Sequence, residues 1–287
     1  MDELAQTIIQ GLLLGSTYGL VALGMAIIYA VSGVLNFAHG DFLSLAMFLC
    51  LAVFSQWAFD PYLGALVVVP CMMVVGMAFY QWLVRPMIGR QVLMVVQLTL
   101  GVAFMLQSGL LMGFGGQPKR VNSMMEATLW FVADVVFRGS QLVALGVAVV
   151  LSALLFLLLN HTRFGREMRA VQQVPRAAAL MGINVSRTRL LAFALGFGVL
   201  GIAGVLLVPG LPIHPSQGLR YTVVTLMVVV LGGLTNFMGV LLGGVLLGMA
   251  EAVGTVYLSG VTGFVLPYLI FIVVLLFRPQ GLLKQAT

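Results

Sequence analysis

Long, uninterrupted apolar segments constrain the fold of this 287-residue chain more than any other feature. They lie approximately at 8–31, 42–59, 61–84, 92–114, 140–159, 190–211, 221–234, 237–258 and 261–277. About 20 apolar residues are enough for a helix to cross a bilayer. Only 8% of the residues are charged, whereas a soluble domain has about 25%. The sequence therefore predicts an all-α, polytopic integral membrane protein with about eight or nine transmembrane helices, some of them short or broken.

Arginine residues are concentrated in one hydrophilic segment, residues 160–189. They are Arg163, Arg166, Arg169, Arg176, Arg187 and Arg189. Because cytoplasmic loops carry an excess of basic residues, this segment is predicted to be cytoplasmic. Alternating spans then place the C-terminus in the cytoplasm and the N-terminus outside, with Arg220 in an outer connection. This orientation explains the net charge of +6 without a nucleic-acid partner.

Glycines recur at four-residue spacing in two of the apolar segments. Gly11, Gly15 and Gly19 lie in the first segment, and Gly244 and Gly248 lie near the end of the chain. Small residues at this spacing let helix backbones approach closely in a bilayer. Packing within the chain is the favoured interpretation, and a contact between subunits is the alternative.

A cluster of polar residues interrupts the apolar pattern at residues 36–41. Asn36, His39 and Asp41 flank Gly40, which predicts a helix break followed by a new helix that begins near His39 to Asp41. A helix N-terminus at membrane depth can meet an anionic group such as a substrate carboxylate. We therefore expect the break to border a translocation path. The alternative is that Asn36 and Asp41 only cap and brace a connection between two helices.

Glu251 is an acidic residue inside the apolar segment 237–258. Ionisable residues at membrane depth are paired or face water. A pairing with a polar group on another helix is the favoured interpretation, and a position beside a water-filled path is the alternative. A proton relay would need a chain of such groups, and only His39 and Asp41 are available.

A short helix is predicted within the arginine-rich segment. Pro175 suits the first turn of a helix, Ala177 and Ala178 favour helix, and Gly182 can adopt the left-handed conformation that ends one. A helix of about two turns is unstable alone and needs a partner surface. The pattern therefore predicts a docking element. The alternative is a basic loop held by anionic lipid.

This short helix resembles the coupling loop of ABC importer permeases, whose signature is E-A-A-x-x-x-G. Ala177, Ala178 and Gly182 match it, and Arg176 stands at the acidic position. The whole chain resembles the branched-chain amino acid ABC transporter permease family of the LivH type, which often has Glu where Asp41 stands. The other matching motifs are G-S-T-Y-G-L at 15–20, N-F-A-H-G-D at 36–41, M-G-I-N at 181–184, G-G at 232–233 and at 243–244, and R-P-Q-G at 278–281.

The resemblance implies one transmembrane permease domain, 1–287, with a cytoplasmic coupling loop at 160–189, in the bacterial inner membrane. It implies a second homologous permease subunit, two cytoplasmic ATPase subunits that use ATP and Mg²⁺, and a periplasmic substrate-binding protein. The chain itself would bind no cofactor or metal and would not be an enzyme. The path residues would be Asn36, His39, Asp41 and Glu251. The coupling residues would be Arg166, Arg169, Pro175, Arg176, Ala177, Ala178, Met181, Gly182 and Asn184.

The resemblance favours leucine, isoleucine and valine as substrates and leaves alternatives open. Permeases of the same superfamily move amides, urea or aromatic acids. An ion-coupled secondary carrier or a passive channel would give the arginine-rich loop no purpose. An enzyme has least support, because no nucleophile–base motif or metal cluster accompanies His39, His161 and His214.

Overall fold

Eleven α-helices form most of the part of the chain that the structure describes. This computed structural model describes residues 2–57, 60–121, 123, 129–132, 135–258, 260–278 and 281–282. The helices are α1 (Asp2–Ser32), α2 (His39–Trp57), α3 (Ala65–Phe79), α4 (Val92–Phe114), α5 (Gly139–His161), α6 (Arg163–Gln173), α7 (Pro175–Leu180), α8 (Val185–Leu207), α9 (Gly218–Gly232), α10 (Phe237–Tyr257) and α11 (Leu266–Phe277).

Seven of the described helices are long and apolar enough to cross a bilayer. They are α1, α2, α4, α5, α8 and α10, together with the continuous helical segment Ala65–Met87 that begins with α3. The two remaining apolar helices are shorter, since α9 has 15 residues and α11 has 12. At 1.5 Å per residue these lengths correspond to about 22 Å and 18 Å, less than the roughly 30 Å of the hydrocarbon core. The prediction of a polytopic α-helical membrane protein with some short helices is confirmed.

Glycines bring α1 and α10 into backbone contact. A Cβ atom built on Gly15 would lie 2.6 Å from the Cα of Val245, and one built on Gly244 would lie 2.5 Å from the Cα of Gly19. No side chain fits at such separations, so the two helices are held together by backbone packing. The predicted glycine stripes therefore serve packing within the chain.

A Gly15→Ala substitution is expected to destabilise the protein by about 1–3 kcal/mol, because the added methyl group would push α10 away from α1. The matched control is Gly101→Ala on α4, where an added Cβ has no neighbour within 4 Å. Alanine favours helix over glycine, so the control should be neutral or slightly stabilising. Unfolding of the two purified variants compares them, and equal stability would contradict close packing at Gly15.

Helix α8 lies in the interior, where it holds α2 and α3 in place. The ring of Phe197 on α8 is 4.7 Å from that of Phe42 on α2 and 5.8 Å from that of Phe79 on α3. Gly76 makes room for this cluster, since a Cβ there would lie 2.6 Å from Phe197. These buried aromatic contacts fix the first turn of α2 against the middle of α8.

Two local features were not predicted from the apolar pattern. Strand β1 (Leu129–Val132) pairs antiparallel with strand β2 (Val135–Arg138), with Leu129 opposite Arg138. Each strand has four residues, too few to stand out between long apolar segments. In addition, α3 continues through a π-helical turn, Tyr80–Val84, and a 3-10 turn, Arg85–Met87.

Candidate functional site

The chain returns into the membrane bundle between α1 and α2. Gly33 adopts a left-handed conformation, with φ of 66°, and reverses the chain after α1. The Nε2 atom of His39 then lies 3.0 Å from the carbonyl oxygen of Val21. Val21 precedes the end of α1 by about three turns, or roughly 16 Å of helix. The predicted break is therefore present, and α2 begins at His39 near the middle of α1.

The N-termini of α2 and α9 meet at this depth. The backbone N–H of Gly40 donates a hydrogen bond to Thr222 Oγ1, at 2.9 Å, and that hydroxyl donates to the carbonyl oxygen of Phe37, at 3.3 Å. A Cβ atom built on Gly218 would clash with the Asp41 carboxylate, so this carboxylate lies directly against the first residue of α9. The Asp41 side chain therefore lies beside two helix N-termini, whose partial positive charge stabilises an anion.

Asn36 braces the turn that leads into α2. Its Oδ1 atom accepts a hydrogen bond from the backbone N–H of Ala38, at 3.0 Å. This bond is the capping role that the sequence left open for Asn36.

The polar cluster is closed to solvent in this conformation. Asn36 is 1% exposed, His39 is 0% exposed and Asp41 is 4% exposed. Asn36 Nδ2 and His39 Nδ1 have no hydrogen-bond partner among the described residues. A role of these side chains in a translocation path therefore requires a conformation in which the break opens.

Glu251 is held by polar groups from two other helices. Its Oε1 atom accepts a hydrogen bond from Arg220 Nη2 on α9, at 2.7 Å, and its Oε2 atom accepts one from the hydroxyl of Tyr18 on α1, at 3.0 Å. The guanidinium of Arg220 also lies over the ring of Phe264, 4.9 Å from its centroid. The structure thus contains the interhelical pairing that was the favoured interpretation of Glu251.

Arg220 is the site residue that the sequence reasoning missed. The charge count assigned it to an outer connection, whereas in the structure it lies in the first turn of α9 and pairs with Glu251. Tyr18, which shares the Glu251 carboxylate with Arg220, is close to the middle of the span Gln6–Ser32. Two features of the sequence could have indicated this pairing. Arg220 stands directly before the apolar segment 221–234, and Glu251 lies within the apolar segment 237–258 and needs a partner.

A cavity opens beside this ion pair. Its volume is about 260 Å³, and Tyr18, Arg220 and Glu251 contribute its polar lining. The rest of the lining is apolar or aromatic and comes from Val224, Met227, Leu247, Phe264, Pro267 and Tyr268. The cavity is therefore polar at one end, where the ion pair and the Tyr18 hydroxyl lie, and apolar elsewhere.

The arginine-rich segment is built on helix α6, which is fixed to the end of α5. Thr162 Oγ1 accepts a hydrogen bond from the backbone N–H of Gly165, at 3.2 Å, and so caps α6. Arg169 donates to the carbonyl oxygen of Leu159. Arg166 and Arg169 are both exposed, but Arg169 has this internal partner and therefore helps to position the segment.

The predicted short helix is present as α7. Pro175 occupies its first position, Ala178 is buried at 4% exposure, and Gly182 ends it with φ of 83°. Asn184 then caps α8, accepting a hydrogen bond from the backbone N–H of Arg187 at 3.0 Å.

The outer surface of α7 is available for docking. Leu180 is 89% exposed and Met181 is 83% exposed. Arg176 and Ala177 are exposed as well. Two large apolar side chains at the tip of a polar loop form a small contact surface of the kind that another protein covers.

Comparison with known proteins identifies the family. A family model described as "Branched-chain amino acid transport system / permease component" matches residues 7–275. The chain belongs to this permease family. Relatives in the family include the LivH permease protein of Salmonella typhimurium, which is 27% identical over 98% of this chain and 95% of its own length. A probable LivH permease of Methanocaldococcus jannaschii is 30% identical over 92% of this chain and 87% of its own length.

A third relative has the same kind of name, and one solved structure shares the fold. The BraD permease protein of Pseudomonas aeruginosa is 28% identical over 98% of this chain and 95% of its own length. Among solved structures, a chain of "PsaBC from Streptococcus pneumoniae in complex with Fab" superposes with a TM-score of 0.52 and 12% identity. The match covers 94% of this chain and 91% of that one, and it supports the fold.

Proposed function

We propose that this chain is a membrane-spanning subunit of an ABC importer that moves leucine, isoleucine and valine across the bacterial inner membrane. The observation that carries the proposal is the family match over residues 7–275. The relatives that match nearly the whole chain are named as high-affinity branched-chain amino acid permeases. Substrate passage would follow the interior of the bundle, where Asn36, His39, Asp41 and Glu251 lie at or near the middle of the helices.

Energy for transport comes from ATP and Mg²⁺ bound by separate ATPase subunits, and this chain is not an enzyme and binds no cofactor. The sequence contains no G-x-x-x-x-G-K-[ST] phosphate-binding loop. The coupling loop, residues 160–189, docks on an ATPase subunit through α7. The exposed tip of α7 and the burial of Ala178 against the rest of the chain support this role, because a docked element must move as a unit with the helices behind it.

The rest of the importer consists of a second homologous permease subunit, a second ATPase subunit and a periplasmic binding protein. Residues 1–287 act as one permease domain in the bilayer, with the N-terminus periplasmic and the C-terminus cytoplasmic. Two contacts support this orientation. Arg189 Nε donates to the carbonyl oxygen of Val31 at 2.9 Å, so the end of α1 lies beside the coupling loop. The backbone N–H of Leu282 donates to the carbonyl oxygen of Leu231 at 2.7 Å, at the end of α9.

Reconstitution tests the proposed function. The permease would be purified with its partner permease, ATPases and binding protein, placed in proteoliposomes, and supplied with radiolabelled leucine, isoleucine or valine. Uptake that requires ATP and is competed by these three amino acids is the expected result. Uptake of urea, an amide or phenylalanine alone would reassign the substrate, and uptake driven by an ion gradient without ATPase subunits would overturn the proposal.

A further inference from the structure

The exposed side of the Arg220 guanidinium requires a polar environment, which lipid chains do not provide. Its side chain is 54% exposed although its partner Glu251 is only 10% exposed. It shares the Glu251 carboxylate with Tyr18, which lies near the middle of α1. A guanidinium exposed to hydrocarbon at that depth is strongly disfavoured. The exposed side of Arg220 therefore faces water or a polar group, and the cavity beside it provides such a space.

Arg220 has hydrogen-bonding capacity beyond its ion pair. Among the described residues, its side chain donates one hydrogen bond, from Nη2 to Glu251. A guanidinium has five N–H donors in a planar fork, so Nη1 and Nε can donate to another acceptor. Both oxygens of Glu251 are already engaged, one by Arg220 and the other by Tyr18. Glu251 and Tyr18 thus hold the guanidinium in place as positioning residues.

The cavity complements a small molecule with one anionic end. At about 260 Å³ it lies just below the size range of sites for drug-sized ligands, so it suits a smaller one. Val224, Met227 and Leu247 give it an apolar wall away from Arg220. Arginine binds carboxylates with two parallel hydrogen bonds. A carboxylate attached to a short branched hydrocarbon matches both the remaining N–H donors of Arg220 and the apolar wall.

We infer that this cavity is a substrate-binding site within the membrane, in which Arg220 binds the carboxylate of a branched-chain amino acid. Val224, Met227 and Leu247 contact the hydrocarbon side chain. The inference rests on the proposed import function, and it assigns the permease itself a share of the substrate selection.

Analogues of leucine test the site in the wild-type protein. The importer complex would be purified with its ATPases and without the binding protein, and binding of radiolabelled leucine would be measured. Isocaproate keeps the carboxylate and the branched chain, whereas leucinol keeps the amine and lacks the carboxylate. We expect isocaproate to displace leucine and leucinol to be at least roughly tenfold weaker. Equal competition by the two analogues, or no leucine binding by this complex, would overturn the inference.

Paired substitutions test the role of Arg220 directly. An Arg220→Gln/Glu251→Gln variant removes both charges together, so that no buried carboxylate is left unpaired. The affinity of this double variant for leucine should fall roughly ten- to a hundredfold. An Arg220→Lys variant should keep part of the wild-type affinity, because lysine retains the positive charge but lacks the planar fork of N–H donors. Arg90→Gln is the matched control, since Arg90 is exposed in the connection before α4. Unchanged affinity in the double variant would overturn the site.

The two proposals fail differently. If the wild-type importer with its binding protein takes up no branched-chain amino acid, the proposed function fails. If it takes them up and the double variant binds and transports leucine as well as the wild type, the function stands and the site at Arg220 is wrong. Where the double variant does not assemble, the competition of isocaproate and leucinol in the wild type decides.

Discussion

A Leu180→Glu/Met181→Glu variant is expected to lose ATP-driven uptake and to bind its ATPase subunit at least roughly a hundredfold more weakly. The two side chains are 89% and 83% exposed at the tip of α7. Burial of one such side chain contributes about 1.5–3 kcal/mol, so losing both removes about 3 kcal/mol or more, and every 1.4 kcal/mol is tenfold in affinity. Co-purification with the ATPase subunit and titration of the purified subunit measure the loss.

The matched control changes two exposed leucines at the opposite end of the bundle. Leu63 is 56% exposed before α3, and Leu211 is 38% exposed in the connection after α8. A Leu63→Glu/Leu211→Glu variant should retain the ATPase subunit. Retention by the α7 variant as well would show that the ATPase docks elsewhere.

An Arg220→Leu substitution is expected to lower the free energy of unfolding by about 3 kcal/mol, near the lower end of the range for broken buried ion pairs. It leaves the Glu251 carboxylate, which is 8% exposed, with the Tyr18 hydroxyl as its remaining partner. The lower end applies because Arg220 is half-exposed and partly screened. Chemical unfolding of the purified permease followed by tryptophan fluorescence provides the measurement.

A double-mutant cycle isolates this interaction. Arg220→Leu/Glu251→Leu removes both charges and should recover most of the lost stability, since two apolar side chains can replace a buried pair. Additive losses in the double variant would mean that the two residues do not stabilise each other. The recovered variant should still bind leucine poorly, because stability and binding depend on different properties of Arg220.

Local chemistry in the sequence predicted the ends of helices well. The polar cluster around Gly40 correctly predicted a helix that begins at His39. The frame from Pro175 to Gly182 correctly predicted α7 and its left-handed end. In each case the controlling residues are within a few positions of the feature, and their backbone preferences do not depend on the rest of the fold.

Relations between distant helices could not be predicted in the same way. Tyr18 and Glu251 are 233 residues apart, and Arg220 and Glu251 are 31 residues apart. Apolar periodicity does not fix how far one helix slides along another, so it did not reveal that Arg220 lies beside Glu251. The return of residues 33–38 into the bundle has the same origin, because it depends on how the helices pack.

The close contact between α1 and α10 has a consequence for biosynthesis. Ribosomes add roughly 5–20 residues per second, so the 233 residues between Tyr18 and Glu251 delay their meeting by roughly 10–50 s. During that interval, α1 is in the bilayer without its contacts to α10. Ser16 and Thr17 need no other helix during this time, since their hydroxyls donate hydrogen bonds to the carbonyl oxygens of Leu13 and Leu14 in the same helix. The Tyr18 hydroxyl and the glycines of α1 gain their partners only when α10 is inserted. The packing of α1 in the bundle is therefore completed almost at the end of translation.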